Sequence, residues 1–140
     1  MQENNAISSL YWALRIAFGA VPFLTGLDKF LNLLTHWDKY LSPFAQRVLP
    51  VSATTFLHLA GIIEMAVGIA ILTRWTRLGS YVAAIWLIGI AMNLLLAGYF
   101  DVAVRDLVMA VGAYTLARLS KLRTPAEMPE VRSLRQANVA

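Results

Sequence analysis

Four long apolar stretches, at about 10–34, 55–73, 78–98 and 101–119, constrain this chain more than any other feature. Each approaches or exceeds the length of about twenty residues that carries a helix across the hydrocarbon core of a bilayer. In lipid, every backbone N–H and C=O must be satisfied within the protein, so an exposed loop or open strand cannot replace the helix. The expected fold class is all-α: a four-helix transmembrane bundle. With 59% of its 140 residues hydrophobic and 14% charged, against roughly a quarter charged in a soluble domain, the chain leaves little material for a second, water-soluble unit. The domain organisation expected is a cytoplasmic N-terminal segment at 1–9, the transmembrane domain at 10–119, and a basic, flexible cytoplasmic tail at 120–140.

Insertion energetics differ between the stretches. Glu64 at the centre of the second costs about 3 kcal/mol, but nine Leu, Ile, Phe or Val residues there return about 0.3–0.6 kcal/mol each. The first carries Arg15, Asp28 and Lys29, which together can outweigh its apolar residues, so it needs its neighbours in order to insert. Residues 1–9 contain no Lys or Arg, and the run that follows is too long and too charged for a signal-peptide core, so we read it as retained.

The net charge of +4 comes largely from basic residues flanking the apolar runs: Arg74 and Arg77 between the second and third, and Arg118, Lys121, Arg123, Arg132 and Arg135 around the end of the fourth. That placement fits topology signals and contact with anionic lipid headgroups rather than nucleic acid. It puts both termini in the cytoplasm and the connection 35–54 outside. Trp37, Tyr40 and Tyr99 then suit the outer interface and Trp75 the inner one. Pro43 and Pro50 bracket the apolar Phe44, Val48 and Leu49, the pattern of a short interfacial helix.

At 3.6 residues per turn, Arg15, Gly19, Pro22, Gly26 and Lys29 share one face of the first helix, and Gly61, Glu64 and Gly68 form a similar stripe on the second. Small residues let helices approach closely, and Glu64 would be costly facing lipid, so both stripes are expected to face inward. The candidate intramembrane polar site comprises Arg15, Asp28, Lys29, His58, Glu64, Asn93, Arg105 and Asp106. Most of these belong to the outer half of the bundle, with Glu64 near mid-membrane and Arg15 on the inner side. Two readings stay open: a mutually paired network that fixes helix packing, or a hydrated ligand pocket with Glu64 at its floor.

Other chemistry finds less support. The chain has no cysteine, which excludes disulfides, thiolate metal sites and cysteine-ligated iron–sulfur clusters. His58 has no companion ligand at a metal-binding spacing and reads as a hydrogen-bonded helix residue, so no metal is assigned. Trp12, Phe18, Phe23, Phe30, Trp86 and Tyr114 either line a pocket for a flat ligand or simply pack.

The opening LRIAFGAVPFLTGLDKF, the phrase HLAGIIEMAVGIAILT, the TRLG link at 76–79 and the polar start VRDLVMAVGAY of the last helix occur in this order. Over about 10–119 the chain resembles the DoxX/DoxD-like family of small four-helix membrane proteins. The resemblance implies a bacterial inner-membrane location, and it marks Arg15, Lys29 and Glu64 as the intramembrane polar site. Some members resemble the membrane subunit of thiosulfate:quinone oxidoreductase, and others are linked to redox stress or to assembly of partner proteins. Where many relatives have a histidine late in the third helix, this chain has Asn93, which cannot take and release a proton.

The leading expectation is a protein that binds a quinone-like or other lipophilic small molecule, as the membrane subunit of a redox complex. It has no intrinsic cofactor, and no catalytic residue is assigned; electron transfer would need a partner or the quinone itself. The alternatives are a non-catalytic assembly or scaffold protein that pairs with a membrane partner and, ranked lower, a small proton-coupled transporter.

Overall fold

A computed structural model describes residues 2–123, with side chains from residue 5 onward. These residues are all-helical, in the order α1 (Gln2–Leu31), a 3-10 turn η1 (Trp37–Tyr40), α2 (Pro43–Val48), α3 (Ala53–Leu72), α4 (Thr76–Ala97) and α5 (Phe100–Arg123). Three helices are long and apolar enough to cross a membrane, over Asn5–Leu31, Ala53–Leu72 and Thr76–Ala97. α5 is long enough, but every eighteen-residue run within it carries at least three charged side chains. Its opening turns hold Asp101, Arg105 and Asp106, and its last ones Arg118, Lys121 and Arg123.

The helix ends follow from local chemistry. α1 starts at Gln2 rather than near residue 10, because 2–9 contains no Gly or Pro and its polar residues tolerate helix. It stops at Leu31, short of residue 34. Asn32 takes a left-handed φ of 51°, and the Asp28 carboxylate accepts hydrogen bonds from the Leu33 and Leu34 N–H groups at 2.8 and 3.0 Å. The side chains of Ser42 and Ser52 cap α2 and α3 by accepting from Ala45 N–H and Thr55 N–H. α4 ends on Gly98 at φ 85°, with Tyr99 N–H donating back to the Leu94 carbonyl at 2.9 Å, the six-to-one bond of a Schellman turn. α2 fills the connection where the prolines pointed to a short helix. α5 runs on past residue 119 through Arg123, so the start of the expected flexible tail is helical; 124–140 lies outside the described residues.

The long helices pack chiefly as two antiparallel pairs, α1 with α3 and α4 with α5, with lighter contact between the pairs. Glycine sets the approach of α1 to α3. A Cβ on Gly26 would lie 2.5 Å from the Gly61 carbonyl oxygen, and one on Gly68 would lie 2.5 Å from that of Gly19. Both are closer than a carbon and an oxygen can rest, so only hydrogen fits there.

Side-chain size is sorted unusually for a soluble protein. The buried positions include Ala60, Ala83, Ala84, Ala91, Ala103, Ala110, Ala113 and Ala117, whereas large residues such as Leu24, Ile62, Ile85, Leu96 and Val108 are half or more exposed. Small residues inside and branched ones outside suit a molecule whose surroundings are themselves apolar. The main core cluster, around Tyr11, Ile71, Ala84 and Leu116, lies toward the α3–α4 turn; a smaller one of Ala91, Leu94 and Ala103 lies beneath η1.

Candidate functional site

Glu64 sits three turns into α3, one turn from Gly61 on the face that meets α1, and is 6% exposed. The glycine contact brings α1 close enough for Lys29 Nζ to donate to Glu64 Oε2 at 2.6 Å, with both side chains buried. Thr25 Oγ1 lies 3.4 Å from the same oxygen, and Trp86 Nε1 of α4 donates to Oε1 at 3.2 Å. One carboxylate thus joins α1, α3 and α4. Charge-assisted bonds of this kind offset the cost of burying it.

The ammonium of Lys29 also lies 3.9 Å from the centre of the Trp37 ring, a cation–π contact. The Trp37 indole N–H donates to Asp28 Oδ2 at 2.8 Å, so η1 is tied to the end of α1. Asn93 of α4 ties the same segment from the other side. Its Oδ1 accepts from Ser42 N–H at 3.0 Å and its Nδ2 donates to the Tyr40 carbonyl at 2.7 Å.

Beside this network lies a partly open cavity of about 740 Å³, whose walls come from all four long helices and whose end is closed by Trp37, Tyr40, Leu41 and Ala45. Its surface is mostly apolar, including Phe56, Leu57, Val82, Ile85, Ile90 and Met109. Lys29, Glu64, Asn93, Arg105 and Asp106 supply its polar groups, together with Thr25. Two cations and two carboxylates make the lining formally neutral. Asp106 is 4% exposed and is met by Arg105 only at 3.4 Å, while the Arg105 side chain is mostly exposed.

Five of the eight residues singled out from sequence therefore share the cavity wall: Lys29, Glu64, Asn93, Arg105 and Asp106. Asp28 lies just behind it, spent on the end of α1 and on Trp37. His58 is outside it, stacked on Phe30 with centroids 4.6 Å apart and planes 11° from parallel. Arg15 stands at the far end of the molecule, donating to the carbonyls of Ile71, Leu72 and Thr73 at 3.0, 2.8 and 2.5 Å. It closes the C-terminus of α3, where a helix leaves carbonyls unpaired.

Of the six aromatic residues considered for a flat-ligand pocket, only Trp86 lines the cavity. Phe18 packs against Gly112, Phe23 against Gly68, Phe30 on His58, Tyr114 on Tyr81 and Trp12 on Tyr11. Trp37, Tyr40 and Phe56 take their place. The first two have the composition of interface anchors; Asp28, nine residues before Trp37, was the available sign that the indole has a partner. Among the described residues no three His, Asp or Glu side chains gather to hold a metal ion. The chain matches no family model, no curated protein and no solved structure.

Proposed function

We propose that this chain is a DoxX-like, four-span protein of a bacterial inner membrane that binds a neutral lipophilic small molecule of the quinone class in the cavity beside Glu64, as the membrane subunit of a redox complex. The observation that carries this reading is the cavity itself. Its volume lies in the range of small-molecule sites, its walls are mostly apolar, and a few polar groups line it. Lys29 Nζ, held by Glu64 through one of its three N–H groups, retains donors from which a quinone carbonyl would accept. The formally neutral lining suits an uncharged ligand. α5 counts as the fourth span on its outward face, where Val104, Val108 and Val111 are each more than half exposed. The basic α3–α4 turn and α5 end support cytoplasmic termini. Electrons would come from a partner subunit or through the quinone itself.

Titrating the detergent-purified protein with short-chain ubiquinone and menaquinone tests the proposal, since Trp37 and Trp86 report on the cavity by fluorescence quenching. Saturable quenching is expected, with affinity reduced about tenfold in Glu64→Gln, as for loss of one charge-assisted hydrogen bond. No saturable response to any quinone would defeat it.

A further inference from the structure

Among residues 5–123, the charged side chains at the end of the molecule opposite η1 are all basic. Arg15, Arg74, Arg77, Arg118, Lys121 and Arg123 gather there, while the acidic side chains between residues 5 and 123 all lie midway along the helices or at the other end. Arg15 is committed to the α3 carbonyls, and Arg123 lies over the Tyr11 ring with its guanidinium carbon 4.4 Å from the centroid. Arg74 and Arg77 differ: both are exposed, and neither has an ion pair or hydrogen-bond partner among the described residues.

These two arginines border an open hollow of about 550 Å³ with Trp75, Leu78 and Tyr81. Trp75 is 52% exposed beside them. Below, Leu78, Val82 and Ile85 are 55%, 40% and 71% exposed, and their spacing of four and three residues puts them on one face of α4. Two free guanidiniums, an amphipathic ring at their level and an apolar stripe descending from them match the parts of one molecule: an anionic phosphate, its glycerol region and an acyl chain.

We propose that the α3–α4 turn is a binding site for an anionic phospholipid, with Arg74 and Arg77 on the phosphate, Trp75 and Tyr81 at the glycerol level, and an acyl chain along Leu78, Val82 and Ile85. The occupant is a lipid rather than free phosphate because the hollow opens onto the apolar stripe instead of closing around the anion. The headgroup end at Arg74 and Arg77 lies apart from the cavity beside Glu64, whereas the acyl stripe shares Val82 and Ile85 with that cavity's wall.

Native mass spectrometry of delipidated protein, titrated with phosphatidylglycerol and with phosphatidylcholine of the same chains, tests this. Tighter retention of phosphatidylglycerol is expected. Each arginine near an anionic headgroup contributes about fivefold, so R74Q/R77Q should lose about thirtyfold in phosphatidylglycerol affinity. R118Q/K121Q removes the same formal charge from the same end and should lose less than fivefold. R77Q alone, with about a fivefold loss, keeps the test readable if the double variant does not fold. Equal affinity for the two lipids, or equal losses in the two double variants, would overturn the proposal by reducing it to general surface charge. Displacement of the lipid by millimolar inorganic phosphate would overturn it in favour of a free-phosphate site.

Discussion

Adding one methyl group at Gly61 should loosen both the helix packing and the polar network. An alanine Cβ there would lie 2.6 Å from the Gly26 carbonyl oxygen and 3.1 Å from Phe30 Cε2. Carbon and carbonyl oxygen come to rest no closer than about 3.3 Å, so α1 and α3 must separate locally by roughly 0.7 Å. Lys29 and Glu64 lie one turn beyond Gly26 and Gly61, so the same displacement stretches the 2.6 Å contact between them. Overpacking of this kind costs about 1–3 kcal/mol, and the weakened ion pair places Gly61→Ala toward the upper part of that range, at about 2.5 kcal/mol. Gly89→Ala is the control, because a Cβ on Gly89 meets nothing within 4 Å. In a helix interior that change should stabilise by about 0.5–1 kcal/mol. Thermal unfolding in mild detergent, followed by tryptophan fluorescence, should show a lower Tm for Gly61→Ala and an unchanged or higher Tm for Gly89→Ala. A Gly61→Ala protein that melts at or above the wild-type temperature would refute the claim that this contact limits the approach of the helices.

Lys29→Met should cost about 3 kcal/mol by leaving the Glu64 carboxylate buried without its cation, and Lys29→Met combined with Glu64→Gln should recover most of that loss. Chemical denaturation of the three proteins is the check, and a double variant no better than the single would contradict it. Asn93→Leu should release η1 and α2 by removing two hydrogen bonds worth about 1 kcal/mol each. Hydrogen exchange over 37–49 should then rise more than tenfold, with the centres of α3 and α4 unchanged; uniform acceleration would point to global unfolding instead.

The features legible in the sequence were those governed by solvent and by spacing. The lengths of the apolar runs gave the helices, and the seven-residue separations of Gly19 from Gly26 and of Gly61 from Gly68 gave the faces that touch. Glu64 had to turn inward because lipid offers it nothing. The cap was less legible, since Trp37 and Tyr40 have the same composition whether they anchor an interface or close a cavity. Helix ends shifted where polar residues without Gly or Pro allow winding to continue, as at 2–9 and 120–123. Arg15 was grouped with Lys29 by face, yet fourteen residues at 1.5 Å each put them about 21 Å apart along one helix. That distance was available from the numbering, whereas its carbonyl partners on α3 were not. The fourth span expected at 101–119 falls on α5, whose composition is less apolar than the other three because charged residues at both of its ends flank an apolar outward face.

The lighter contact between the two helix pairs has a mechanical consequence. They are joined at one end by the three residues Thr73–Trp75, and at the other they are bridged by η1 and α2, which Trp37 fastens to α1 and Asn93 to α4. The assembly is a pair of tongs with a fixed joint and a clasp across its tips. The hydrogen bonds of the clasp come from Trp37 and Asn93, which also line the cavity, so the separation of the jaws is set within the cavity wall itself.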